Sequence, residues 1–194
     1  MECLVFDAIR IKSLESLDPI TTNLKKGMAL KNLMTNYSAF NLWANERIVT
    51  WLRTLDLELL YQSTPSSYTS IDYTLQHILR TQRYWLLFIS EENISNVNWS
   101  IREGEVENIM TELIAVSEEM KRRFSLFSEA DLLKVLHLRS AWAENDLPRY
   151  EYIQHVINHG TFHRGQIVTM ARCIGITEGV VNTDYNIFNC GLGV

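Results

Sequence analysis

No stretch of this chain approaches the ~20 consecutive apolar residues that a membrane-spanning helix needs. Basic side chains are in the minority. Eighteen Lys and Arg against 23 Asp and Glu leave a net charge of −5, so there is no basic footprint for a nucleic acid. Glu2 stands where a secretory signal would carry positive charge, and the apolar run behind it is too short for one. Cysteine is scarce and odd in number. Cys3, Cys173 and Cys190 form neither a disulfide framework nor a Cys-x-x-Cys site, so reduced thiols in a cytoplasm are expected. Proline occurs only at Pro19, Pro65 and Pro148, each between stretches of helical periodicity. These absences predict a cytoplasmic globular chain that binds neither nucleic acid nor membrane.

Helical pattern fills most of what remains. Over residues 30–55, Leu33, Tyr37, Phe40, Trp43, Ala44, Ile48, Trp51, Leu52 and Leu55 recur at three-to-four spacing, which predicts an amphipathic helix. A second helix is predicted over 70–90, with Ile71, Leu75, Ile78, Trp85, Leu86 and Ile89 inward and Ser70 or Asp72 as its cap. A third runs over 105–127, burying Val106, Ile109, Met110, Leu113, Val116, Met120, Phe124 and Phe127. Residues 132–144 fit a period of two or of three and a half, so a short strand pair or irregular structure is expected, with a turn at Asn145-Asp146. The fourth helix opens near Pro148 and is stopped by Gly175. Four long helices make an all-α four-helix bundle the expected fold. Residues 1–27, of weak periodicity, are an N-terminal extension, and residues 28–194 form the bundle domain. The tail over 182–188 is expected to fold back across one end.

Of five histidines in the chain, three fall in the nine residues His155 to His163. His159 and His163 are one turn apart on one helix face, so their rings can converge on one ion at about 2.0–2.1 Å from each nitrogen. By angle His163 lies on the shoulder of the core stripe, His159 slightly further out, and His155 at the rim. His155 is also ~12 Å from His163 along the axis, too far to share an ion. One histidine on a helix shoulder is usually a hydrogen-bonded, partly buried side chain; an i, i+4 pair beside the core is as readily a metal site. A catalytic site needs a third ligand. His77 in the second helix, His137 in the ambiguous segment and the carboxylates are the candidates, a rigid helix mildly favouring His77.

Two motifs are missing. Gly160 follows His159, so there is no HExxH and no zinc-protease glutamate. No Glu-x-x-His recurs on two helices, which sets aside the di-iron carboxylate bundles. Among neighbouring residues, Gly165 is expected to permit close helix packing and Arg164 to form a buried ion pair with Asp184 or a second-helix partner. Gln166 is placed to orient a ligand or bound water, packing being its commoner role. Trp43 and Asn45 should lock the first helix to its neighbours, and Tyr37, Tyr84 and Trp85 read as core rather than as a substrate box.

The segments FNLWANERI at 40–48, LQHILRTQRYWL at 75–86 and HGTFHRGQI at 159–167 resemble, in order and separation, three marker segments of the DinB/YfiT-like superfamily. The resemblance spans roughly residues 30–188. It implies a four-helix bundle, often a homodimer, with one divalent metal, nickel or zinc foremost, held by three histidines. Carried over position by position, the ligands are His77, His159 and His163. Characterised relatives are S-transferases using a low-molecular-weight thiol such as bacillithiol, mycothiol or glutathione; others isomerise maleylpyruvate, and many have no known reaction. The expectation is therefore a metal-dependent thiol S-transferase acting on a small-molecule substrate. A metal-dependent hydrolase and a non-catalytic metal-binding or dimeric interaction protein are the alternatives. No residue beyond the triad receives a catalytic role.

Overall fold

Helices α1 (Pro19–Leu52), α2 (Ile71–Ile89), α3 (Val106–Leu126) and α5 (Arg149–Cys173) dominate the computed structural model, which describes residues 19–97 and 105–191. Between α3 and α5 come a short helix α4 (Glu129–Leu133) and an antiparallel pair, β1 (Val135–Arg139) and β2 (Glu144–Pro148); α6 (Tyr185–Asn189) closes the chain. Helix α1 packs against α3 and α5, and α2 packs against the same two. Consecutive helices α1 and α2 therefore lie across the bundle diagonal, joined by residues 53–70. Among the described residues no helix is long and apolar enough to cross a membrane.

The predicted stripes of α2, α3 and α5 are the core: Leu75, Ile78, Ile89, Ile109, Met110, Ile153, Ile157 and Ile167 are all shielded from solvent. Helix α1 begins well ahead of its apolar stripe, at Pro19, where a missing N–H costs nothing, and runs through Gly27. The expected extension therefore enters this helix; its first 18 residues lie outside the described residues. Leu33, expected inward, is 46% exposed, and Met34 beside it takes the core position. Ser70 precedes α2 without capping it; its hydroxyl donates to Asp72 Oδ1 at 2.5 Å instead.

The ambiguous segment resolves to period two. Leu136 and Leu138 are buried while Val135, His137 and Arg139 face out, and Tyr152 ties the pair to α5 by donating to the Asn145 carbonyl at 3.0 Å. Its turn is at residues 140–143, not at Asn145-Asp146, which pair within the ladder. Ser140 explains the difference: its N–H donates to the Ala143 carbonyl at 3.1 Å, and its Oγ accepts from the Ala143 N–H at 3.0 Å. The tail lies along α1 rather than across an end. Tyr185 meets Phe40 edge-on at 5.0 Å, Phe188 meets Trp43 at 5.5 Å, and Asn36 Nδ2 donates to the Tyr185 hydroxyl at 2.9 Å. Aromatic residues on the outer side of α1 would otherwise face water, and α6 covers them.

One polar network runs through the bundle and touches all four long helices. Arg164 Nη1 on α5 donates to Asn45 Oδ1 on α1 at 2.9 Å, Asn45 Nδ2 donates to Ser117 Oγ on α3 at 2.9 Å, and Ser117 Oγ donates to Gln82 Oε1 on α2 at 2.9 Å. Buried polar groups of this kind are satisfied in one helix register only, so the network specifies how the helices are rotated and offset. Arg164 is 1% exposed, and it donates to the neutral Asn41, Asn45 and Thr161 rather than to an acid. Among the described residues the expected ion pair is not formed; Asp184 instead caps α6 by accepting from the Asn186 N–H. Burial without a counter-charge pushes the guanidinium down to about 9.

Candidate metal centre

His159 and His163 stand one turn apart on α5, and the diagonal arrangement brings α2 alongside with His77 facing them. The Nε2 of His159 lies 3.1 Å from that of His77 and 3.1 Å from that of His163. One ligand atom from each ring lies within 4.8 Å of the others, a grouping able to hold a metal ion. Among the described residues no fourth His, Cys, Asp or Glu joins this group.

The outer nitrogens of two rings are held. His163 Nδ1 is 2.7 Å from Gln166 Oε1, an acceptor, so that nitrogen carries the proton and Nε2 keeps its lone pair. Gln166 is itself anchored by donating to Ser67 Oγ at 3.2 Å. His77 Nδ1 is 2.7 Å from the Tyr68 hydroxyl, and the two rings stack at 4.4 Å. Burial lowers all three imidazoles. His77 goes to about 4 and His159 to about 3, each pushed further by the neighbouring rings; for His163 the bond to Gln166 opposes the effect of burial. The imidazoles are therefore neutral at pH 7, the state a metal ligand needs.

The donor set fits a cation. His159 Nε2 has two ring nitrogens at 3.1 Å and is either a donor or an acceptor. With His163 Nε2 unprotonated it can make a directed hydrogen bond to only one of them, and the other close contact goes unbonded. A divalent ion removes that conflict. Nitrogens about 2.0–2.1 Å from one tetrahedral ion stand about 3.3 Å from each other, close to the spacing here.

His137 and His155 take no part in this group. His137 faces outward on β1, 3.0 Å from Asp146 on the opposite strand. His155 meets Trp85 edge-on at 4.8 Å and stands 6.1 Å, ring to ring, from His159. Gln166 does hold a histidine rather than serving as packing. Gly165, expected at a close contact, is exposed, and a Cβ there would meet nothing within 4 Å; the close approach is at Gly160, where a Cβ would come within 3.0 Å of Arg164 Nη1. Tyr84 and Trp85 are buried as predicted, yet they also wall a cavity that opens beside His77 and His159. Sequence reasoning passes over Tyr68 and Trp142. Both lie in turns without periodicity, and an aromatic side chain in a Ser/Thr-rich loop was the one available signal for Tyr68.

Comparison with known proteins places the chain in a family. A curated relative, protein DinB of Bacillus subtilis, is 27% identical over 155 residues, covering 77% of this chain and 89% of the relative. The crystal structure of a DinB-like protein from Bacillus cereus superposes with a TM-score of 0.57 at 18% identity, over 72% of this chain and 91% of that one, which shows a shared fold. The family model described as "DinB family" matches residues 28–189, nearly all of the bundle with its tail, and the chain belongs to that family.

Proposed function

We propose that this chain is a divalent-metal-dependent thiol S-transferase. The observation that carries the reading is the convergence of three imidazoles, with no fourth protein donor grouped with them among the described residues, at the edge of a largely aromatic cavity. A structural metal site is closed by four protein ligands; one with three leaves a position for a reactant. When bound, the cation supplies a Lewis-acid centre that favours the deprotonated form of a thiol or water at that position.

The remaining work falls to the chain. His77, His159 and His163 would hold the ion, and Tyr68 and Gln166 fix the tilt of two of the rings. Tyr84 and Trp85 exclude water from the place where an electrophile would sit. In the transfer the thiol gives up its proton to solvent, a sulfur–carbon bond forms, and the bond from carbon to the leaving group breaks with its electron pair departing on that group. Bacillithiol is the first candidate thiol and glutathione the second, both from family resemblance.

Nickel- or zinc-loaded protein, given each thiol and chlorodinitrobenzene, is expected to form the thioether in a metal-dependent way. His77→Ala should abolish it while helicity persists. Turnover of an ester or amide without thiol would reassign the chain as a hydrolase. A cobalt spectrum indifferent to added thiol and azide would make the site structural.

A further inference from the structure

The cavity beside the histidines has a volume of about 450 Å³ and is lined by His77, Thr81, Tyr84, Trp85, Trp142, His155 and His159. Among the described residues its lining contains no Asp, Glu, Lys or Arg. In the metal-free protein a carboxylate or ammonium entering it would lose hydration with no fixed charge on these residues to replace it. Tyr84 and Trp85, both buried, meet edge to face at 5.3 Å, and Trp85 is backed by Tyr152 stacked at 5.5 Å, so this wall is rigid.

Trp142 is of another kind. It is 61% exposed, at the tip of the β1–β2 hairpin, yet its ring stands 5.8 Å from Tyr84 and 6.0 Å from Trp85. The Ser140–Ala143 hydrogen bonds hold the turn that carries it. The core does not require a tryptophan there, since most of its surface is in water. What it adds is an indole at the cavity rim, opposite an aromatic wall.

We propose that this cavity binds a neutral, planar aromatic substrate, held between Trp142 and the Tyr84–Trp85 wall with its reactive carbon toward His77 and His159. Aromatic rings recognise flat π-systems by offset or edge-to-face contact, and a volume of this size suits a one- or two-ring molecule. A quaternary ammonium, the other guest of aromatic cages, meets no carboxylate among these lining residues to offset its charge. The proposal rests on the reading of the triad given above, but binding itself needs no turnover.

The test titrates the full-length protein, freed of metal by a chelator, with 6-propionyl-2-dimethylaminonaphthalene, a neutral planar fluorophore. Competitors are 2-methoxynaphthalene, naphthalene-2-sulfonate and 2-methoxydecalin. The neutral aromatic competitor is expected to displace the probe, with the anionic and saturated analogues at least about ten-fold weaker. Trp142→Ala should weaken the probe about ten-fold and Trp142→Leu nearly as much, whereas Trp142→Phe should retain most of the affinity. Leu126→Ala, removing an exposed apolar residue on α3, should change nothing. Unchanged affinity in Trp142→Ala, or a sulfonate or decalin that binds as tightly as the neutral aromatic, overturns the proposal. If these binding results hold while no thiol conjugation occurs, the reaction fails and the site stands. Thiol conjugation unaffected by Trp142→Ala, with unchanged probe binding, removes the site and leaves the reaction.

Discussion

Gln166 reaches back one turn of α5 to His163, its Oε1 accepting from Nδ1 at 2.7 Å while its Nε2 donates to Ser67. The bond selects the His163 tautomer whose Nε2 is free to ligate. Gln166→Leu is therefore expected to lower metal affinity about 10–100-fold, in line with the loss of such a partner elsewhere. Gln166→Glu, which keeps the acceptor, should retain most of it. Competition against a chelating dye measures both, and circular dichroism should show equal helicity.

His159 is central, within 3.1 Å of both other Nε2 atoms. Elemental analysis of the wild type should find about one divalent ion per chain, and His159→Ala should find essentially none. His155→Ala and His137→Ala should keep the ion. Equal metal content in His159→Ala and the wild type would end the triad assignment.

Acid should destabilise the metal-free protein through these rings. His77 at about 4 and His159 at about 3 stay unprotonated in the folded chain, while in the unfolded chain they bind protons near 6.5. The unfolded state then carries more protons, so stability is full above about pH 6.5 and falls as the pH drops toward 4 and 3. Urea midpoints measured between about pH 8 and 4 should decline across that window, and the decline should be shallower in His159→Phe.

The two glycines of the histidine segment should respond oppositely to alanine. At Gly165 nothing lies within reach of a Cβ, so Gly165→Ala should add ~0.5–1 kcal/mol from helix propensity. At Gly160 the Cβ would meet Arg164 Nη1 at 3.0 Å and Asn41 Oδ1 at 3.3 Å, two members of the buried network. That crowding should outweigh the propensity gain and cost ~1–3 kcal/mol. Thermal unfolding of the pair reads the sign directly.

Where apolar spacing is strong, the chain states its own structure. The predicted ends of α2, α3 and α5 fall within a residue or so of those found, because a helix that buries one stripe must repeat it every three to four positions. Helix α1 departs from prediction because its first turns extend beyond the stripe, and Gly27 inside it reads as a stop. The turn at residues 140–143 escapes for a related reason. Asn and Asp usually mark turns, but Asn145 and Asp146 are strand residues here, and a serine hydroxyl closes the loop instead.

The site divides along the same line. That His159 and His163 share a face follows from the 100° step of a helix, and no folding partner is needed to see it. Which third histidine meets them, what holds its outer nitrogen and what walls the space beside them depend on the folded arrangement. Tyr68 and Trp142 acquire their roles when α2, α5 and the hairpin come together, whereas Gln166 reaches His163 within one turn of α5. Spacing along a helix sets only the direction of its own side chains. The rotation and offset between helices come from core packing and from the Arg164–Asn45–Ser117–Gln82 network, and those exist only in the folded chain.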